Sequence, residues 1–168
     1  MDRTREMLIL YKEKYHNTYG FTSTAVERIK RTLENTNVII DALGSKNDWS
    51  VLLNNKPIVM LYFAPNSLEL TEDRMRKRMQ SQSGKINKND LITRTKANAE
   101  NIHRDIGNYD YWIDTTDLSQ VVPAVTSVIR ATSYGGKNAH PRVVSIVENP
   151  VRINQLIEGY SIARTKYG

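Results

Sequence analysis

Pro57-Ile58-Val59-Met60-Leu61-Tyr62-Phe63-Ala64 is the stretch on which the fold turns. A strand with one wet face alternates apolar and polar positions, but this one is apolar almost without interruption. Such a run fits a strand of a parallel sheet covered on both faces. Asn37-Val38-Ile39-Ile40-Asp41 reads as a shorter buried strand, and Tyr109-Asp110-Tyr111-Trp112-Ile113-Asp114 as a third.

Helical patterns lie between these runs. A charged helix is predicted from Ser67 to about Gln80, then a polar, mobile loop Ser81-Gln82-Ser83-Gly84-Lys85, then a helix over 89–105. Another follows Asp114 to about Ala131, with Pro123 tolerated in its first turn. Upstream, Thr24 and Glu27 have capping-box spacing, and Val26, Ile29 and Leu33 recur at helical period. Residues 4–16 suit an amphipathic helix through Met7, Leu8, Leu10 and Tyr11, leading into a turn at Asn17-Thr18-Tyr19-Gly20. Strands alternating with helices predict an α/β fold, a three-layer parallel sheet flanked by helices.

Past a linker at Ser133–Asn138, Arg142–Val147 reads as a further strand. Asn149-Pro150 then supplies an N-cap with proline at the first helical position, opening a helix through Leu156, Ile157, Tyr160 and Ile162. The expected organisation is a core over 1–134 with an additional strand–helix unit, 135–168, packed on the same domain.

The chain has 168 residues, 39% hydrophobic and 25% charged, which belongs to a globular protein rather than a disordered one. It contains no cysteine, so disulfides and thiolate metal sites are excluded and a reducing cytoplasm is expected. No apolar run approaches the roughly 18–20 residues that cross a membrane, and the charged start Met1-Asp2-Arg3-Thr4-Arg5-Glu6 has no secretory pattern. The net charge of +6 suits phosphates, nucleic acid, an acidic protein face or simply a soluble basic surface. It is concentrated at Arg74, Arg76, Lys77, Arg78, Lys85, Lys88, Arg94 and Lys96, with few acids among them.

The order of these elements, with several fixed residues, resembles guanylate kinase over about two-thirds of the chain. Thr18-Tyr19-Gly20-Phe21 stands where the family has its Tyr-Tyr-Gly-Thr/Ser turn, and Asp41 and Gly44 where a strand ends in an acid and a glycine. Pro65-Asn66-Ser67 matches the family's Pro-Pro-Ser. Arg74, Arg78 and Arg94 match its lid arginines, and Tyr109-Asp110-Tyr111 repeats its last Tyr-Asp-Tyr strand. The resemblance implies a ligand-binding cleft lined by Tyr19, Asp41, Arg74, Arg78 and Arg94. It also implies a vacant first-strand slot, which Arg142–Val147 would fill as in a circular permutation.

Each residue has a plainer reading. Arg74 and Arg78, at i and i+4, share a helix face and suit a forked phosphate or carboxylate clamp, or a solvated face paired with Glu69, Glu72 and Asp73. Tyr19 suits an anion contact or a core tyrosine. Asp41 suits a magnesium-bound water or a helix cap. His16, His103 and His140 show no metal-ligand spacing.

Against the resemblance, no stretch of the chain reads G-x-x-x-x-G-K-[ST]; Gly44-Ser45-Lys46 and Gly135-Gly136-Lys137-Asn138 are the nearest fragments. The family's base-reading hydroxyl falls at Phe21, a glutamate near Leu10 and an aspartate at Ile39. The first expectation is therefore a non-catalytic, pseudokinase-like binding module with no cofactor. It would act through a protein partner or an anionic ligand, as guanylate-kinase-like domains can, and its compact form suits a viral or mobile-element product directed at a host protein. The alternatives are a divergent nucleotide kinase or nucleotide-binding enzyme, with Lys137 or Arg152 in place of the missing lysine, and a basic nucleic-acid-binding protein. Tyrosine-rich turns suit a homodimer.

Overall fold

The computed structural model describes residues 8–14, 17–41, 45–136 and 138–167, with side chains placed for 8–10, 18–41, 45–136 and 138–161. The chain divides into two compact units, residues 1–58 and 59–168.

In the first unit, β1 (Leu8–Lys14) and β2 (Asn17–Thr22) form an antiparallel pair with an irregularity between Leu8 and Leu10. Residues 8–14 are thus a strand, not the predicted amphipathic helix, and Tyr19 lies within β2 rather than in a turn. Leu8 and Leu10 satisfy a period of two as readily as a helical one, and the paired neighbour decides. Helix α1 (Ser23–Leu33) is capped by Thr22, whose hydroxyl accepts from the Ala25 N–H, so Thr24 sits inside the helix and the expected capping box is displaced. Helix α2 (Lys46–Leu52) opens with a capping box of its own between Ser45 and Asp48. Trp49 is buried edge-on against Phe21, ring centroids 4.9 Å apart. Asn37–Asp41 is not a strand: the segment pairs with no strand among the described residues and leaves Ile39 77% exposed.

The second unit is built on a three-stranded mixed sheet of order β3-β4-β5. Strand β3 (Leu61–Ala64) runs parallel to β4 (Tyr111–Asp114), pairing Tyr62 with Trp112. Strand β5 (Val143–Ser145) runs antiparallel to β4, so the sheet is mixed where a parallel one was expected. Among the described strands β5 is an edge strand with β4 as its one neighbour. A strand in the interior first-strand slot would be parallel and flanked on both sides, so circular permutation draws no support from this pairing.

Four helices accompany the sheet among the described residues: α3 (Leu68–Ser83), α4 (Lys88–Asp105), α5 (Val121–Tyr134) and α6 (Pro150–Tyr167). Helix α3 runs through part of the predicted mobile loop and stops at Gly84, whose φ of +67° is the left-handed C-cap that glycine adopts without strain. Pro123 falls in the first turn of α5, and Pro150 is the first residue of α6. Likewise, α5 runs to Tyr134, into the predicted linker. One core gathers Ala64, Leu68, Ala99, Ile102, Ile106, Trp112, Ile153, Leu156 and Tyr160 on one side of the sheet. A smaller one joins Ile113 to Ala124 and Val128 of α5.

Candidate functional site

Ligands of open α/β sheets bind outside the carboxyl ends of the strands, and in the second unit those ends are polar. Beyond β3 the chain passes through Pro65 and Asn66 to Ser67, whose hydroxyl accepts from the Leu70 N–H and starts α3. Beyond β4, the Asp114 carboxylate accepts from the Thr116 N–H at 2.8 Å, folding the chain back on itself. The Asn66 N–H donates to the Thr116 hydroxyl at 3.2 Å and ties the two ends together.

Two cations and a phenol complete the arrangement. Arg74, nearly two turns into α3, donates through Nη2 to the carbonyls of Thr115 (2.7 Å) and Thr116 (3.0 Å), and through Nη1 to the Thr115 hydroxyl (3.3 Å). Arg142 donates through Nη1 to Asp114 Oδ2 at 2.6 Å, while its backbone carbonyl accepts from the Asp114 N–H. Its charge also acts on Asp117, whose carboxyl is held low first by Ser119 and then by Arg142. Tyr160, buried in α6, donates to the Pro65 carbonyl at 2.7 Å and lies 3.2 Å from the Thr71 hydroxyl.

These surroundings set the protonation of the groups. Burial pushes the Asp114 carboxyl up, but the Thr116 hydroxyl and N–H, and then Arg142, outweigh it and hold the acid below its ordinary range. The Tyr160 phenol is pushed up to about 12, chiefly by burial, although its bond to Thr71 works the other way. Asp114 is therefore an anion at neutral pH and Tyr160 a neutral donor. Hydroxyls, carbonyls and guanidinium N–H groups thus gather at the strand ends, bonded to one another.

The five residues singled out from the sequence fall on both units, two on the first and three on the second. Arg74 faces the strand ends with its donors on backbone carbonyls. Arg94 donates through Nε to Asp90 on its own helix at 2.8 Å. Arg78 is exposed, with no side-chain partner among the described residues. Tyr19 (47% exposed) and Asp41 (exposed) belong to the first unit. Lys137 is outside the described residues. Asp114, Thr116, Arg142 and Tyr160 escaped the sequence reading. The one signal that could have found them is the rule that strand ends in α/β folds collect ligands. No group of three metal-ligating side chains occurs among the described residues, and no helix there is long and apolar enough to cross a membrane.

A mixed sheet with helices packed against it defines an α/β scaffold. The chain belongs to the guanylate kinase family, whose model, described as guanylate kinase, matches residues 2–132. No curated protein and no solved structure matches the chain. Arg142 and Tyr160 lie beyond the matched residues.

Proposed function

We propose that this chain is a guanylate-kinase-like binding module rather than a phosphotransferase, and that it grips a protein partner through a carboxylate or phosphate that the partner carries. One observation carries this reading. Arg74, which the family resemblance assigns to a phosphate, has its shortest bonds to the Thr115 and Thr116 carbonyls. Phosphoryl transfer rests almost wholly on positioned charge, so a lid arginine satisfied by its own scaffold supports recognition over catalysis. Arg78 and Arg142 then become the anion contacts, with Tyr19 and Asp41 retained as candidate contacts on the first unit. The compartment proposed from the cysteine-free sequence is a reducing cytoplasm.

The test has two arms. Protein incubated with magnesium, ATP and each nucleoside monophosphate is expected to release no ADP above the blank. ADP release that Arg78→Ala abolishes would establish the divergent kinase instead. In the second arm, wild type and an Arg78→Ala/Arg142→Ala variant are compared as baits, with bound proteins identified by mass spectrometry. The expected result is a protein retained by the wild type, lost from the variant, and released by excess inorganic phosphate.

A further inference from the structure

Positive charge is densest on one hairpin, over α3, the 84–87 turn and α4. Between Arg74 and Ala99 there are eight lysines and arginines and one acid, Asp90, a surplus of seven against +6 for all 168 residues. Glu69, Glu72 and Asp73 at the start of α3 and Glu100 and Asp105 at the end of α4 offset part of it, with Arg104 on the other side, so the whole hairpin carries +3 and its surplus is concentrated towards the tip.

Local pairing removes part of that surplus and leaves the rest at the tip. Arg76 is bound to Glu72, Lys77 to Asp73 and Arg94 to Asp90, each across one helical turn. Arg78, Lys85, Lys88 and Lys96 have no carboxylate partner among the described residues. Arg78 is the last cation of α3, and Lys85 occupies the turn. Lys88 opens α4, and Lys96 follows eight residues on, about 12 Å further along the axis. Leu68 is the one buried residue of α3; Arg76, Lys77, Arg78 and residues 80–83 are all exposed.

The chemistry of the hairpin narrows what it can meet. Residues 68–105 contain no phenylalanine, tyrosine or tryptophan, so there is no platform on which unpaired bases could stack. Ile92 is the one large hydrophobic side chain of the hairpin counted as exposed, too little to insert among lipids or to anchor a peptide. At the tip, residues 78–89, no carboxylate occurs, and cations, amides (Gln80, Gln82, Asn87, Asn89) and hydroxyls (Ser81, Ser83) remain, the groups that contact phosphate and sugar without reading sequence.

We propose that the α3–α4 hairpin binds the phosphate backbone of double-stranded nucleic acid through Arg78, Lys85, Lys88 and Lys96, without sequence preference. This surface goes beyond the partner site at the strand ends, with Arg78 at the border of the two. Four neutralised phosphates correspond to a slope of about −3.6 in log affinity against log salt, roughly a hundredfold loss between 50 and 200 mM.

Fluorescence anisotropy of the full chain with a labelled 20-base-pair DNA duplex, and with the equivalent RNA duplex, tests this. Binding is expected at 50 mM salt, about a hundredfold weaker at 200 mM and indifferent to sequence. A Lys85→Gln/Lys88→Gln/Lys96→Gln variant is expected to lose at least tenfold in affinity and about three quarters of the salt slope, with an unchanged melting temperature. Lys56→Gln/Arg130→Gln is expected to bind as the wild type does. The proposal is overturned by absence of duplex binding at low salt, by equal losses in the two variants, by tighter binding to a single strand, or by tighter binding to phosphatidylserine vesicles or polyglutamate. Because Lys85, Lys88 and Lys96 take no part in the strand-end site, failure here leaves the partner reading standing, and the reverse.

Discussion

Arg74 on α3 and Thr115 at the end of β4, 41 residues apart, are held together by a 2.7 Å bond from the Arg74 Nη2 to the Thr115 carbonyl and a 3.3 Å bond from Nη1 to its hydroxyl. A planar fork is needed to reach both oxygens, and the Thr116 carbonyl is taken as well. The pair fixes the first turns of α3 over the carboxyl end of the sheet.

Arg74→Ala is therefore expected to destabilise the protein by about 1–2 kcal/mol, since carbonyls lose a charged donor in a half-buried setting. Arg74→Lys should restore less than half of that, because an ammonium cannot fork. Arg78→Ala, on the same face but exposed, should stay within about 0.5 kcal/mol of wild type. Urea unfolding of the three variants checks the ordering, and equal effects at 74 and 78 would remove the scaffold role assigned to Arg74.

Asp114 titrates with the fold. Its folded carboxyl lies below the ordinary range although burial opposes this, because Thr116 and Arg142 prefer the anion. A carboxyl depressed in the folded state stabilises above the unfolded value and loses that contribution as pH falls through the folded one. The contribution is thus complete above about pH 5 and drains below about pH 4. Asp114→Asn should lower the melting temperature at pH 7 and flatten its decline between pH 5 and 3. A parallel decline in both proteins would assign the acid sensitivity to other carboxylates.

How much of this was legible turns on range. Ser67 at the head of α3, Pro123 and Pro150 in first turns, and the span of α4 are local signals, and they hold because helices are specified by neighbours three and four residues away. Strands are specified by partners far off in sequence. Leu8–Lys14 became a strand through its pairing with Asn17–Thr22, while Asn37–Asp41, as β-prone as any, did not. Nothing local orients Val143–Ser145 against β4, so the antiparallel edge was invisible. The strand-end site failed for the same reason. Helical spacing places Arg74 and Arg78 on one face, but Thr115 is what selects between them. Arg142 and Tyr160 reach their partners across 28 and 95 residues.

At high pH the tyrosines take over. Burial first, then the neighbouring phenols Tyr160 and Tyr109, push Tyr62 far above its ordinary value. Tyr160 is pushed up to about 12, again mainly by burial. Groups raised in the folded state give a contribution complete below the unfolded value, about 10, and lost as pH rises through the folded one. Stability should hold to about pH 10 and fall steeply from there to about 12, with tyrosinate absorbance rising as the protein unfolds. Tyr160→Phe should shrink this alkaline loss and, at pH 7, cost about 1 kcal/mol for the bond to Pro65. Ionisation of these phenols well before unfolding would contradict the packing described around Trp112.

Helix α6 lies beyond the family-matched residues, yet Ile153, Leu156 and Tyr160 from it share one core with Ala64, Leu68, Ala99, Ile102, Ile106 and Trp112. Ile153 and Leu156 are 4% and 5% exposed, and Tyr160 is 1%. Each truncation to alanine should cost about 2–5 kcal/mol, a transfer loss plus the cavity left behind. That is a large part of what a domain of this size has in hand. A fragment ending at Arg130, which keeps nearly all of the matched segment, would expose the Trp112 face of the sheet to water and leave the Pro65 carbonyl without its donor. It should show no cooperative thermal transition for the second unit, while a fragment ending at Ser161 should keep one. If the shorter fragment melts cooperatively with Trp112 still shielded from acrylamide, α6 is an ornament on a self-sufficient core, and the buttress it gives the strand ends through Tyr160 is dispensable.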